Sequence, residues 1–129
     1  MLNSRGEDSI QSHIEWIGYK GEKILYVNYS GLLDDGLTDA TDEVNSYIKS
    51  LEKKENLILV DVRNSNAYEE MTVDALKKNA SIVKPYAKKV AIIGVTKTQE
   101  VILTMVNMFS GLGIKPFKNI DDAKNWLIE

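Results

Sequence analysis

The chain has 129 residues, with 16 Lys+Arg against 19 Asp+Glu, a net charge of −3, one histidine and no cysteine. That length suits one domain with enough core to fold without disulfides or a structural metal. The missing cysteine excludes thiol catalysis and thiolate zinc sites. His13 alone cannot form a histidine metal cluster and makes a Ser-His-Asp triad improbable, and the acidic balance argues against a general nucleic-acid binder.

Residues 1–12 are polar, carry Arg5 and lack an apolar centre, so they read as a flexible start and not a signal peptide. No run approaches the roughly 20 apolar residues of a membrane span. A cytoplasmic protein is expected, with one domain over residues 13–129.

Two runs rich in β-branched and aromatic residues come first, His13 to Tyr19 and Lys23 to Tyr29, separated by Lys20-Gly21-Glu22. They predict an antiparallel β-hairpin. A loop through Asp34-Asp35 leads to a helix from about Leu37 to Lys54, whose Leu37, Ala40, Val44, Tyr47, Ile48 and Leu51 share one face; Asn56 is expected to close it. Leu57 to Val62 is a continuous apolar run ending in a carboxylate, the pattern of a central strand buried on both sides.

Thr72 is the expected N-cap of a second helix with the stripe Val73, Leu76, Ala80, Val83 and Ala87, ended or kinked by Pro85. A strand from Lys89 to Val95 follows. A third helix, Gln99 to Leu112, is expected to have Thr98 as its cap and Gly113 beyond its end. A short strand from Ile114 to Phe117 precedes a last helix capped by Asp121, with Ala123, Trp126 and Leu127 inward. The order β-β-α-β-α-β-α-β-α predicts one α/β domain: a mixed, mainly parallel sheet of about five strands with about four helices.

The patterns of catalytic and cofactor sites fail at their required residues. Lys97-Thr98 lacks the phosphate-loop glycines, since Ala91 and Thr96 stand in their places. Gly111-Leu112-Gly113 ends a helix and does not follow a strand, which rejects a dinucleotide fingerprint. Asp34-Asp35 reads better as an acidic helix entry than as a Mg²⁺ site. No cofactor, resident metal or catalytic residue is expected. Lys77, Lys78, Lys84, Lys88 and Lys89 form a basic stretch without an acid, most simply a solvated helix face.

The third helix is apolar over more than half its girth. Its inward stripe is expected to be Val101, Ile102, Met105, Met108, Phe109 and Leu112, leaving Leu103 outside with Val106 beside it. With Ile82 on the second helix, Leu103 and Val106 are the expected interface of a homodimer or another protein partner.

Two resemblances carry the functional reading. Leu57 to Arg63, Val90 to Thr96 and Lys115-Pro116-Phe117 look like parts of a phosphoacceptor receiver domain, which implies Asp61 as acceptor, Thr96 as sensor and Lys115 as counter-charge. The paired acids after a first strand are missing, and only one helix precedes Asp61 where a receiver has two. The opening hairpin, Tyr29-Ser30-Gly31, the strand Leu57 to Arg63, Lys89 to Gly94 and the closing Phe117 to Leu127 resemble the STAS-like, SpoIIAA-like family of anti-sigma-factor antagonists across about Glu15 to Glu129. That resemblance implies a regulatory or protein-interaction module without catalysis, switched in its relatives by phosphorylation of a serine at the start of the helix after the Asp61-type strand. Thr72 stands at the comparable place here, behind Glu69-Glu70-Met71. Asp61, Arg63, Asn64, Ser65 and Thr72 are thus the expected partner- or anion-binding residues, with Thr72 the candidate phosphorylation site. A small apolar ligand, such as a lipid, is the alternative implied by relatives compared with lipid carriers.

Overall fold

The computed structural model describes residues 13–129, so the expectation for the first twelve residues lies outside the described part. Strand β1 (Ile14–Tyr19) turns through Lys20 and Gly21, both at positive φ, into β2 (Glu22–Asn28). Tyr19 pairs with Glu22 across this two-residue turn, whose left-handed backbone matches the twist of the hairpin. Helix α1 (Asp34–Lys49), β3 (Asn56–Asp61), α2 (Glu70–Val83), β4 (Ala87–Ile93), α3 (Gln99–Ser110), β5 (Lys115–Phe117) and α4 (Ile120–Leu127) complete the chain. Among the described residues, the order and types of these nine helices and strands are those expected.

The five strands lie in sequence order, β1 antiparallel to β2 and the remaining pairs parallel. Right-handed crossovers between successive neighbours place their helices on one face. Alternation along the strands then divides the core. Leu25, Val27, Ile58 and Val90 join Leu37, Ala40, Val44 and Ile48 of α1 and Val83 of α2. Ile24, Leu57, Leu59, Ala91 and Ile93 point the opposite way, where α4 covers them with Ala123 and Leu127. The edge strand β1 is tied to both layers: Trp16 Nε1 donates to the Tyr47 hydroxyl (2.8 Å), and the Tyr19 hydroxyl donates to Asn125 Oδ1 (2.6 Å).

Several element ends differ from expectation. Helix α1 begins at Asp34 and stops at Lys49, because Ser50 turns its N–H and hydroxyl back onto the Tyr47 carbonyl. Asn56 does not close that helix. It opens β3, buried, and its amide donates to the carbonyls of Lys53 and Tyr86. Thr72 is not the cap of α2, since Glu69 precedes the helix and Thr72 lies in its first turn. Val83 ends α2 just before Pro85, which sits in a short 3₁₀ turn. Thr98 stands at the N-cap position of α3 as expected but makes no side-chain capping bond; the reciprocal bonds are Thr96 N–H to Gln99 Oε1 (3.0 Å) and Gln99 N–H to Thr96 Oγ1 (3.3 Å). Gly111, not Gly113, terminates α3 with φ 71°. Asn119, not Asp121, caps α4 by accepting from the Asp122 N–H (2.9 Å).

Helix α3 is rotated relative to the expected stripe, of which Ile102 and Leu112 do face inward. Val106 is buried and Ile102 and Leu103 face inward, whereas Val101, Met105, Met108 and Phe109 are exposed. The helix is apolar on both sides, so hydrophobicity alone did not select a face. Of the three residues expected at an interface, Val106 is buried, Leu103 is half-buried and Ile82 is exposed.

Candidate functional site

The C-terminal ends of β2, β3 and β4 meet the loop leading to α2, and two carboxylates fix that corner. Asp61 ends β3 with its side chain 1% exposed. Its oxygens accept from Arg63 Nε (3.0 and 3.1 Å), Arg63 Nη2 (2.6 Å), the Arg63 N–H (3.0 Å) and the Tyr26 hydroxyl (2.6 Å). Burial alone would raise the Asp61 carboxyl, but these donors outweigh it and hold the group below the usual carboxylate range. The same contact pushes the Arg63 guanidinium up, while burial and then Asp61 push the Tyr26 phenol up. Arg63 nonetheless keeps 61% of its side chain exposed.

Behind Arg63 stands Gly94, at φ 94°. A Cβ there would lie 2.6 Å from the Arg63 backbone nitrogen and 2.6 Å from its Cγ, so this close approach of two chain segments requires glycine.

The second carboxylate belongs to Asp34. It accepts from the N–H groups of Tyr68 (2.8 Å) and Glu69 (3.0 Å) and from the Thr72 hydroxyl (3.1 Å). The Glu69 N–H, helped by Tyr68 and Thr72, holds this carboxyl below its ordinary value against some desolvation. An anion therefore does occupy the entry to α2, but it comes from the first residue of α1. Thr72 is buried with its hydroxyl engaged, and a phosphate there would displace this contact and face Asp34. The residue expected as the phosphorylation site is thus buried and bonded to Asp34.

The other expected site residues fall within the same loop. Asn64 is exposed at φ 61°, and Ser65 is buried with its hydroxyl donating to the Val62 carbonyl (3.0 Å). Arg63 and Asn64 face solvent, whereas Asp61, Ser65 and Thr72 hold the loop in place. Sequence reading missed Asp34 as an organiser and Tyr68, 72% exposed, as a surface residue. It also missed the exposed Met71 beside them.

The receiver reading is also corrected. Asp61 is enclosed with both oxygens engaged, Thr96 spends its backbone N–H and hydroxyl on Gln99, and the Lys115 ammonium lies over the rings of Phe117 and Trp126. His13 Nδ1 lies 3.3 Å from the Asn28 carbonyl oxygen. Among the described residues no cluster of three or more His, Asp or Glu could hold a metal, and no helix is long and apolar enough to cross a membrane.

On the other face, between the strands and the layer formed by α1, α2 and α3, lies a cavity of about 170 Å³ partly open to solvent. Its wall is almost wholly apolar and contains no charged residue.

Comparison with known proteins assigns the family. No curated protein matches the sequence. An uncharacterized protein of the DUF3478 family with a SpoIIAA-like fold, from Shewanella loihica PV-4, is 22% identical with a TM-score of 0.65, over 88% of this chain and 91% of its own. An anti-sigma-factor antagonist (STAS) domain protein from Planctomyces limnophilus is 9% identical with a TM-score of 0.58, over 90% of this chain and 98% of its own. The family described as SpoIIAA-like matches residues 24–128, and the chain therefore belongs to the SpoIIAA-like family.

Proposed function

We propose that the protein is a non-catalytic regulatory module that docks a protein partner through the loop from Arg63 to Thr72 and the start of α2. The observation that carries this reading is a surface loop pinned at both ends by carboxylates, Asp61 on one side and Asp34 on the other. A loop held this way loses little entropy on binding.

It presents Arg63, Tyr68 and Met71 to solvent, next to exposed Leu33. Arginine, tyrosine and methionine are enriched at protein interfaces. The partner that fits offers an apolar pocket for Tyr68 or Met71 and an acidic group for Arg63. Kinship with the Planctomyces antagonist supports a regulatory partner, and a cytoplasmic setting accords with it. The Thr72 hydroxyl, buried and bonded to Asp34, serves in this reading to hold the loop.

The test is affinity capture from the native host with the full chain, run beside Tyr68→Ala and Arg63→Ala. The expected result is a defined protein retained by the wild type and lost from both variants. Equal capture by all three would place the interface elsewhere and overturn the reading.

A further inference from the structure

We propose that the outer edge of β1 is an interface between two copies of this chain, paired antiparallel across a two-fold axis at Ile17 so that one sheet runs through both. This surface is separate from the docking loop, and the pairing holds whether or not that loop binds a protein.

The backbone decides which groups are on offer. Tyr19 and Glu22 close the hairpin as a pair, and the His13 carbonyl accepts the Asn28 N–H (2.7 Å). The odd-numbered residues of β1 thus turn their backbone groups toward β2. Ile14, Trp16 and Gly18 turn theirs outward, where no strand meets them among the described residues. A row of free N–H and C=O groups is a template for another strand.

Symmetry then limits the register. Two copies that extend one sheet antiparallel are related by an axis perpendicular to it, so every residue faces one from its own side of the sheet. Alternation along the strand allows only even with even and odd with odd. An axis at Ile17 sets Trp16 of each copy opposite Gly18 of the other. Trp16 is 41% exposed on the α1 side, and at Gly18 nothing lies within 4 Å of where a Cβ would stand. The indole fills that gap, and the same two residues exchange backbone hydrogen bonds. An axis at Trp16 would instead set two indoles against each other.

Charge selects a second copy as the occupant. Glu15 is exposed and forms no ion pair among the described residues. With the axis at Ile17 it lies opposite Tyr19 of the second copy, on the α4 side. Two ammonium groups stand over the Tyr19 ring, Lys20 Nζ at 5.3 Å and Lys124 Nζ at 5.2 Å from its centroid. The edge therefore carries a carboxylate toward one end and two lysines at the other. A copy running the opposite way meets each with its complement, and does so on both sides of the axis.

The test is sedimentation of the full chain between about 1 μM and 1 mM. The wild type should pass from 14.5 kDa to twice that mass as concentration rises. Glu15→Lys alone, and Lys20→Glu with Lys124→Glu in one chain, should each dimerise at least about tenfold more weakly, because both set like charges opposite one another. An equimolar mixture of the two should recover the dimer, since every facing pair is then of opposite sign. A wild type that stays monomeric throughout, or a dimer indifferent to these charges, would overturn the proposal.

The register is read separately. The chain has no cysteine, so Ile17→Cys places one thiol per copy beside the axis, within disulfide reach of its mate. Oxidised glutathione should convert this variant to a covalent dimer and leave Lys23→Cys, exposed on β2, without one. No covalent dimer from a folded Ile17→Cys would overturn the axis at Ile17. Should that variant not fold, the charge mixture still decides.

Discussion

The two faces of the sheet are built to different densities. Under α4, Leu59, Ala91 and Ala123 are fully buried, Leu127 is 1% exposed, and Lys89 extends across the Trp126 ring to the carbonyl of that residue. Beyond this patch, the same face carries the closed Tyr26–Asp61–Arg63 cluster. Under α3 the equivalent depth is a cavity, although three helices cover that face. Coverage and packing are therefore separate properties. The short, one-sided α4 seats directly on the strands, whereas α1, α2 and α3 leave a cavity between themselves and the sheet.

That contrast should appear most strongly in large-to-small substitutions. Leu127→Ala removes a side chain from the packed face and should cost about 3–4 kcal/mol in denaturant unfolding. Asp61→Asn should cost about 2–3 kcal/mol, the range for hydrogen bonds to charged groups, because solvated Arg63 loses less than a fully buried ion-pair partner would.

The same carboxylate gives a pH signature. Its pKa is lower folded than unfolded, so its stabilisation is fully present above the unfolded value of about 3.9 and is lost as pH falls through the folded one. Wild-type stability should decline below about pH 4, and the decline should be shallower in Asp61→Asn. Asp34→Asn should leave global unfolding nearly unchanged while speeding hydrogen exchange at Tyr68 and Glu69, whose N–H groups it would bind more weakly. The smallest effect is expected at Leu103→Ala, about 1 kcal/mol or less, because that side chain borders space that is already empty. A cost equal to that of Leu127→Ala would show that the two faces are packed alike.

Much of this architecture was legible in the residues. The continuous apolar run of β3, the three-and-four spacing of α1 and the hairpin signal at Lys20-Gly21 each admit one element type. The inward side of α3 was not legible, because an amphipathicity argument needs a polar side and Val101 to Phe109 offers little of one. The caps failed for a narrower reason. Thr96-x-x-Gln99 and Asn119-x-x-Asp122 both have the spacing at which a side-chain oxygen meets an N–H three residues on, and both bonds form. Asp34 lay beyond sequence reasoning, since its partners are 34, 35 and 38 positions away and no local pattern marks such a contact.

The two rims of the sheet are chemically unequal. Strand β5 is three residues long with Pro116 at its centre, flanked by Lys115 and Phe117. Proline offers no N–H, and a short, lysine-bearing rim is a poor template for another strand. Strand β1 has six residues and no proline, and among the described residues no strand pairs with its outer edge. Among the described residues, β1 is therefore the better template of the two rims for a strand from another molecule.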